Sequence, residues 1–189
     1  EIIKEIKAET GIKVEVITGD LEAEIIYENH IAELLDATKS YLYIDVGGGS
    51  TEVTLFHKSA VAFQKSFNIG TVRLLTNKVE DATWEDLKQT LKEIGRTYPK
   101  LVAIGSGGNI NKIYSMINSK NIKSIPIEVI REFHRVLEPM TVEERMHTYL
   151  LKRDRADVIV PALRIYANTM KWANIDEIYV PKIGLADGL

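Results

Sequence analysis

Residues 45 to 52 read Asp-Val-Gly-Gly-Gly-Ser-Thr-Glu, three consecutive glycines and a serine held between two carboxylates. Glycine in strand-like sequence loses backbone entropy and contributes no packing, so a triplet marks a sharp bend or a close approach to another group. Without side chains in the way, Gly47, Gly48, Gly49 and Ser50 can turn several backbone N–H groups toward one anion, at hydrogen-bonding distance from phosphate oxygens. Asp45 lies in an otherwise apolar run, where an isolated buried carboxylate is costly; it must be paired, metal-linked or at a rim. Glu52 follows on the far side of the loop, so the two carboxylates can flank a phosphate and hold Mg²⁺ directly or through water. Taken alone, the glycines also fit a plain hairpin loop with no ligand.

A second glycine cluster, Gly105, Ser106, Gly107 and Gly108, follows the apolar run Leu101 to Ile104. It reads as another loop at the end of a buried strand, with a helix expected from Ile110 to Ile117. The elements that must position these loops are strands interleaved with helices. Val14 to Thr18 is β-rich and leads into a segment whose Ala23, Ile26, Ile31 and Leu34 recur at near-helical spacing. Tyr41 to Val46 and Glu52 to Phe56 flank the first glycines as a hairpin, and "SAVAFQKSF" supplies a third strand of a meander. "GTVRLLTNK" reads as helical.

From Thr83, with Asp86 three residues on, a hydroxyl-capped helix is expected, and Trp84, Leu87, Leu91 and Ile94 form one apolar stripe suited to a core. Pro126 suits the first turn of a helix, and Thr141 with Glu144 forms a capping box. Arg155 to Trp172 is amphipathic, although Pro161 should kink it or delay its start, and "EIYV" is a last strand. The pattern implies an α/β fold: a mixed sheet with an antiparallel meander on one side, helix-linked strands on the other, and chemistry at the strand ends.

Composition narrows the classes. A chain of 189 residues with 45% hydrophobic content can bury a substantial core, and its formal net charge of -3 offers no global attraction for nucleic acid or an anionic membrane. It has no cysteine, hence no disulfide, thiolate nucleophile or cysteine-bound zinc, and its four histidines lack metal-ligand spacing. No run reaches membrane-spanning length and no signal peptide opens the chain, so a cytoplasmic protein is expected. Its ends, Glu1 and "GLADGL", suggest a piece of something longer.

"YIDVGGGSTEVTLF" resembles the phosphate loop of the Ppx/GppA phosphatases, the exopolyphosphatase and guanosine pentaphosphate phosphohydrolase family. "TGIKVEVITGDLEAEIIY", "SFNIGTVRLL", "AIGSGGNI", and "RDRADVIVPA" with "GLADGL" resemble further segments of that family in the same order. The resemblance covers essentially the whole chain. It implies a ribonuclease-H-like domain of the actin, Hsp70 and sugar-kinase superfamily, residues 1–189 matching the second of two such domains, with the first absent. By the same resemblance Glu22 would be the base for an attacking water, and Asp45 and Glu52 would attend Mg²⁺. Gly47 to Ser50 would bind phosphate, and Gly105, Ser106, Gly107 and Gly108 a more distal phosphate. Arg73 matches a family arginine that meets phosphate oxygens, or is simply solvated on its helix. Leu21 departs from the family's usual glutamate, and Ala186 and Asp187 from its usual arginine and glutamate.

The implied activity is Mg²⁺-dependent hydrolysis of the terminal phosphate of polyphosphate or guanosine pentaphosphate by the full-length protein, the chain alone being inactive. Implied partners are that substrate and the first domain, with a homodimer left open, and neither nucleic acid nor membrane. Two alternatives stay open: a kinase or ATPase of the same superfamily, marked by tight ATP binding with an adenine requirement, and a non-catalytic phosphate-sensing module in which Asp45 and Glu52 are dispensable.

Overall fold

The computed structural model describes residues 2–15, 38–98, 100–117 and 124–181. The elements are α1 (Ile2–Thr10), β1 (Ser40–Val46), β2 (Thr51–His57), β3 (Ala60–Phe67), α2 (Thr71–Leu75), α3 (Asp81–Thr97) and β4 (Leu101–Ser106). Then come α4 (Gly107–Met116), β5 (Ser124–Pro126), α5 (Ile127–Leu137), α6 (Val142–Tyr149), α7 (Arg153–Trp172) and β6 (Glu177–Tyr179). Six strands form one sheet in the order β3-β2-β1-β4-β6-β5. β1, β2 and β3 are the expected antiparallel meander, β4 joins β1 in parallel, and β6 joins β4 in parallel. β5 closes the far edge antiparallel to β6.

β1 is central and buried on both faces, which is why its sequence is nearly continuous in apolar residues. Alternation sends Leu42, Ile44 and Val46 into the main core with Val53 and Leu55 of β2, while Tyr41, Tyr43, Phe56 and Ile104 form a smaller cluster. Asp45 belongs by alternation to the Tyr41 and Tyr43 face. Leu87, Leu91 and Ile94 of α3, Ile110 and Ile113 of α4, Ile130 of α5 and Ile159, Leu163 and Met170 of α7 cover the main face. Each such fully buried side chain contributes roughly 1.5–3 kcal/mol. Trp84 packs edge-on against Trp172 with ring centroids 5.8 Å apart, so the α3 stripe is core as expected.

Several expectations are corrected. α3 starts at Asp81 with Glu80 as N-cap and no side-chain cap bond, so Thr83 lies inside the first turn. α7 runs from Arg153 straight through Pro161, which neither delays its start nor ends it. Proline removes one i→i−4 bond there, a loss outweighed by burial of Ala156, Ile159, Pro161, Ala162 and Leu163 along the same helix. Pro126 is the N-cap of α5 rather than a residue of its first turn. The Thr141–Glu144 capping box is present, with both reciprocal bonds.

The second glycine loop is not a loop. Gly105 and Ser106 finish β4, and Gly107 and Gly108 open α4, three residues before the expected helix start. Val14 and Glu15 lie in neither helix nor strand, while the remainder of the Val14–Thr18 run, the segment after it and "GLADGL" lie outside the described residues, as do Leu21, Glu22, Ala186 and Asp187.

Candidate functional site

β1 and β4 are parallel neighbours, so their carboxyl ends fall at the same edge; β1 leaves it toward β2 and β4 leaves it into α4. Such a divergence opens a crevice, the usual ligand position in open α/β sheets. Register places Ser66, Glu52, Asp45 and Ser106 in one row across β3, β2, β1 and β4. The sheet thus brings the two expected metal carboxylates side by side, about 4.5–5.5 Å apart at Cβ by ordinary strand geometry. Like charges directly opposite one another destabilise a sheet, and a cation between them would offset that.

Both carboxylates are oriented by hydroxyls. Glu52 Oε1 accepts from Ser50 Oγ at 2.5 Å and from Ser66 Oγ at 3.1 Å. Asp45 Oδ2 accepts from Ser106 Oγ at 3.0 Å, and Ser106 Oγ accepts from the Tyr43 hydroxyl. The hydroxyls of Ser50 and Ser106, expected to meet phosphate, are therefore donated to carboxylates.

The glycine loop is fixed by α2. Gly47 N–H donates to the Ser50 carbonyl at 2.9 Å, closing the turn. The Gly47 carbonyl accepts from Thr71 N–H at 3.0 Å, and the Gly48 carbonyl accepts from Val72 N–H at 2.9 Å and Arg73 N–H at 3.2 Å. Arg73 Nε donates to the Gly49 carbonyl at 2.7 Å, so this side chain braces the loop instead of being simply solvated. In a trans peptide C=O and N–H point in opposite directions. With three successive carbonyls turned onto α2, the N–H groups of Gly48, Gly49 and Ser50 face the other way, and none has a backbone partner among the described residues. Gly70 permits this docking, because a Cβ there would sit 2.3 Å from the Gly48 carbonyl oxygen.

The β4–α4 junction is assembled from farther away. Gly105 is buried, and a Cβ on it would meet Ile178 at 2.8 Å and Ile110 at 2.9 Å, so its smallness serves packing. Gly107 has φ +88°, and a Cβ there would lie 2.6 Å from Asp45 Oδ1. Asn109 Nδ2 donates to the Val46 carbonyl at 2.7 Å, tying α4 to the end of β1. The Tyr166 hydroxyl donates to the Ser106 carbonyl at 3.2 Å. Burial holds that phenol well above its ordinary range, the charge of Asp45 adds to the shift, and a backbone hydrogen bond from Val46 opposes it, so Tyr166 remains a neutral donor.

Tyr43, Gly70, Asn109, Tyr166 and Arg155 are not among the site residues legible in the sequence, where Tyr166 shows only as a member of the apolar face of its helix. Arg155, at the start of α7, brings both Nη atoms to 3.0 Å from where a Gly108 Cβ would be. Its side chain is 42% exposed, and its partner, Asp154, lies 3.8 Å away. A guanidinium beside the positive end of α4 is unfavourable unless an anion joins them. Its position inside "RDRADVIVPA" carries no local signal of this, because the contact is made only when α7 packs against α4.

A metal fits this donor set within limits. Asp45 and Glu52 offer two carboxylates, and Asn109 Oδ1 is a buried acceptor with no hydrogen-bond partner among the described residues. No group of three or more His, Cys, Asp or Glu residues gathers among the described residues. Two carboxylates at one sheet edge are a donor number with which Mg²⁺ is commonly held, together with substrate phosphates and water.

The model of the Ppx/GppA phosphatase family matches residues 1–189. The chain belongs to that family. It is 28% identical over 191 residues to a guanosine-5'-triphosphate,3'-diphosphate pyrophosphatase of Pseudoalteromonas translucida, covering 94% of this chain and 37% of that protein. It is 27% identical over 203 residues to exopolyphosphatase 2 of Mycobacterium tuberculosis, covering 95% of this chain and 63% of that protein. The chain thus spans from about a third to under two thirds of these relatives' length. Among solved family structures, an exopolyphosphatase from Cytophaga hutchinsonii superposes with a TM-score of 0.78 at 24% identity, over 99% of this chain and 67% of that one. The Aquifex aeolicus family member superposes with a TM-score of 0.72 at 24% identity, over 98% of this chain and 66% of that one. The family fold is the actin-like, ribonuclease-H-related arrangement expected from the sequence, and the mixed six-stranded sheet has it.

Proposed function

We propose that the full-length protein is a phosphoric anhydride hydrolase that removes the terminal phosphate of inorganic polyphosphate or guanosine pentaphosphate. The observation that carries this is the glycine loop, which holds its carbonyls on α2 and turns the N–H groups of Gly48, Gly49 and Ser50 outward beside the Asp45–Glu52 pair. Three convergent N–H groups bind one phosphate, while Gly107 and Gly108 at the start of α4, with the Arg155 guanidinium, bind a neighbouring one. Family relatives named for each of the two substrates support the substrate class.

Asp45 and Glu52 would hold Mg²⁺, which when bound neutralises charge on the phosphate oxygens. Glu22, which lies outside the described residues, accepts a proton from a water in line with the terminal phosphorus. The water oxygen bonds to phosphorus as the anhydride P–O bond breaks, and the shortened chain leaves as a phosphate anion. The chain's remaining work is positioning, the main source of rate in phosphoryl transfer. The family's first domain closes the other wall of the site.

The test is phosphate release from each substrate by the full-length protein, with and without Mg²⁺, in wild type, Asp45→Asn and Glu52→Gln. Each variant is expected to lose about tenfold in activity and to need more Mg²⁺, because each removes negative charge from the ion's surroundings. Unaltered Mg²⁺ titrations would leave both residues structural, the pattern of a phosphate-sensing module. Tight ATP binding with an adenine requirement would instead favour a kinase. Arg155→Gln should raise KM by about tenfold to a hundredfold with kcat nearly kept, the result of losing a charge-assisted phosphate contact worth roughly 1.5–3 kcal/mol. A wild-type KM would return Arg155 to the surface.

A further inference from the structure

Tyr43 and Asp45 stand two residues apart on one face of β1, and Ser106 pairs with Asp45 across the parallel β1–β4 ladder. Tyr43 and Ser106 are each 6% exposed. A buried hydroxyl must find a partner, and here the partners form a directed chain. The Tyr43 hydroxyl donates to Ser106 Oγ, and Ser106 Oγ donates to Asp45 Oδ2 at 3.0 Å. A serine hydroxyl has one proton. Once given to Asp45, it is not available to a phosphate oxygen, which itself needs a donor. The Ser106 hydroxyl proton is therefore directed at the carboxylate, and Tyr43 restricts the rotation of that hydroxyl by donating to one lone pair of its oxygen.

We propose that Tyr43 and Ser106 are positioning residues that act in series on Asp45. They hold Oδ2 so that Oδ1 stays against the space left free by Gly107, where a Cβ would come within 2.6 Å of it. This inference rests on the proposed metal role of Asp45 and adds the groups that set its geometry. It reassigns Ser106 from phosphate binding to orientation of the carboxylate, and it gives a role to Tyr43, the first residue of the segment "YIDVGGGSTEVTLF", to which the resemblance assigns none. Outer hydrogen-bond partners of this kind govern metal affinity without touching the ion.

The measurement is Mn²⁺ binding to the full-length protein, followed by electron paramagnetic resonance, with Mg²⁺ competition and thermal melts alongside. Ser106→Ala should weaken Mn²⁺ about tenfold, the low end for loss of an outer partner, and Tyr43→Phe about threefold. Tyr43→Phe keeps the ring, so its melting temperature reports whether packing is intact. Because Tyr43 acts through Ser106, the double variant should bind no more weakly than Ser106→Ala alone, a non-additivity that separate structural roles do not produce. Ser106→Thr, with a hydroxyl on the same carbon, should restore binding.

Wild-type Mn²⁺ affinity in a folded Tyr43→Phe protein, or effects that multiply in the double variant, would overturn the relay. Asp45→Asn separates this failure from failure of the underlying reading. If Asp45→Asn weakens Mn²⁺ while Ser106→Ala does not, only the relay falls. If Asp45→Asn binds Mn²⁺ normally, the metal reading falls and the relay with it.

Discussion

Glu22→Gln in the full-length protein is expected to lower kcat by roughly 10² to 10⁴ while leaving substrate affinity unchanged or tighter, the range for loss of a general base. Glutamine keeps the shape and hydrogen-bonding reach of glutamate but cannot take the proton of the attacking water. With Glu22 as the base, the substitution would also remove a negative charge close to a polyanion, so the substrate Kd should fall or stay unchanged. Measurement of kcat and Kd for polyphosphate, with melting curves for both proteins, tests this directly. Near-normal kcat in a folded variant would overturn the assignment of the base, even though family membership stands independently on the match over residues 1–189.

Gly107→Ala should reduce kcat/KM by about 10², the order expected when a catalytic group is misplaced by an ångström. Two independent penalties meet at this position. Its φ of +88° suits glycine and strains any L residue, at a cost of about 1–3 kcal/mol. The added methyl would also sit 2.6 Å from Asp45 Oδ1, so either the carboxylate swings away or the first turn of α4 shifts. In either case the geometry between the glycine loop and the α4 end is lost. The checks are kcat/KM, the Mg²⁺ midpoint and the melting temperature. Wild-type values of all three would show that the junction tolerates a side chain and that its glycine has no role in shaping the site.

The sequence by itself made several features legible, and they share a physical basis. The strands around the first glycines, the apolar stripe Leu87, Leu91 and Ile94, and the Thr141–Glu144 cap depend on alternation, helical periodicity or bonds across three residues. Interactions between near neighbours are set by residue type and spacing alone. The candidate carboxylates were legible for the same reason: Asp45 breaks an apolar strand, and Glu52 returns beside it through a tight turn that fixes the register.

The start of α4 was misplaced because glycines are poor helix formers, so local propensity points to Ile110; the structure begins the helix at Gly107, tied to β1 through Asn109 and the Val46 carbonyl. Tertiary structure alone decided what each polar group near the site faces. It turned the loop carbonyls onto α2, gave the Ser106 hydroxyl to Asp45, bound Arg73 to Gly49 and set Arg155 over Gly108. Periodicity tells which face of an element a side chain occupies; what it meets there depends on strand register and helix packing between segments far apart in the chain, and no local spacing encodes those.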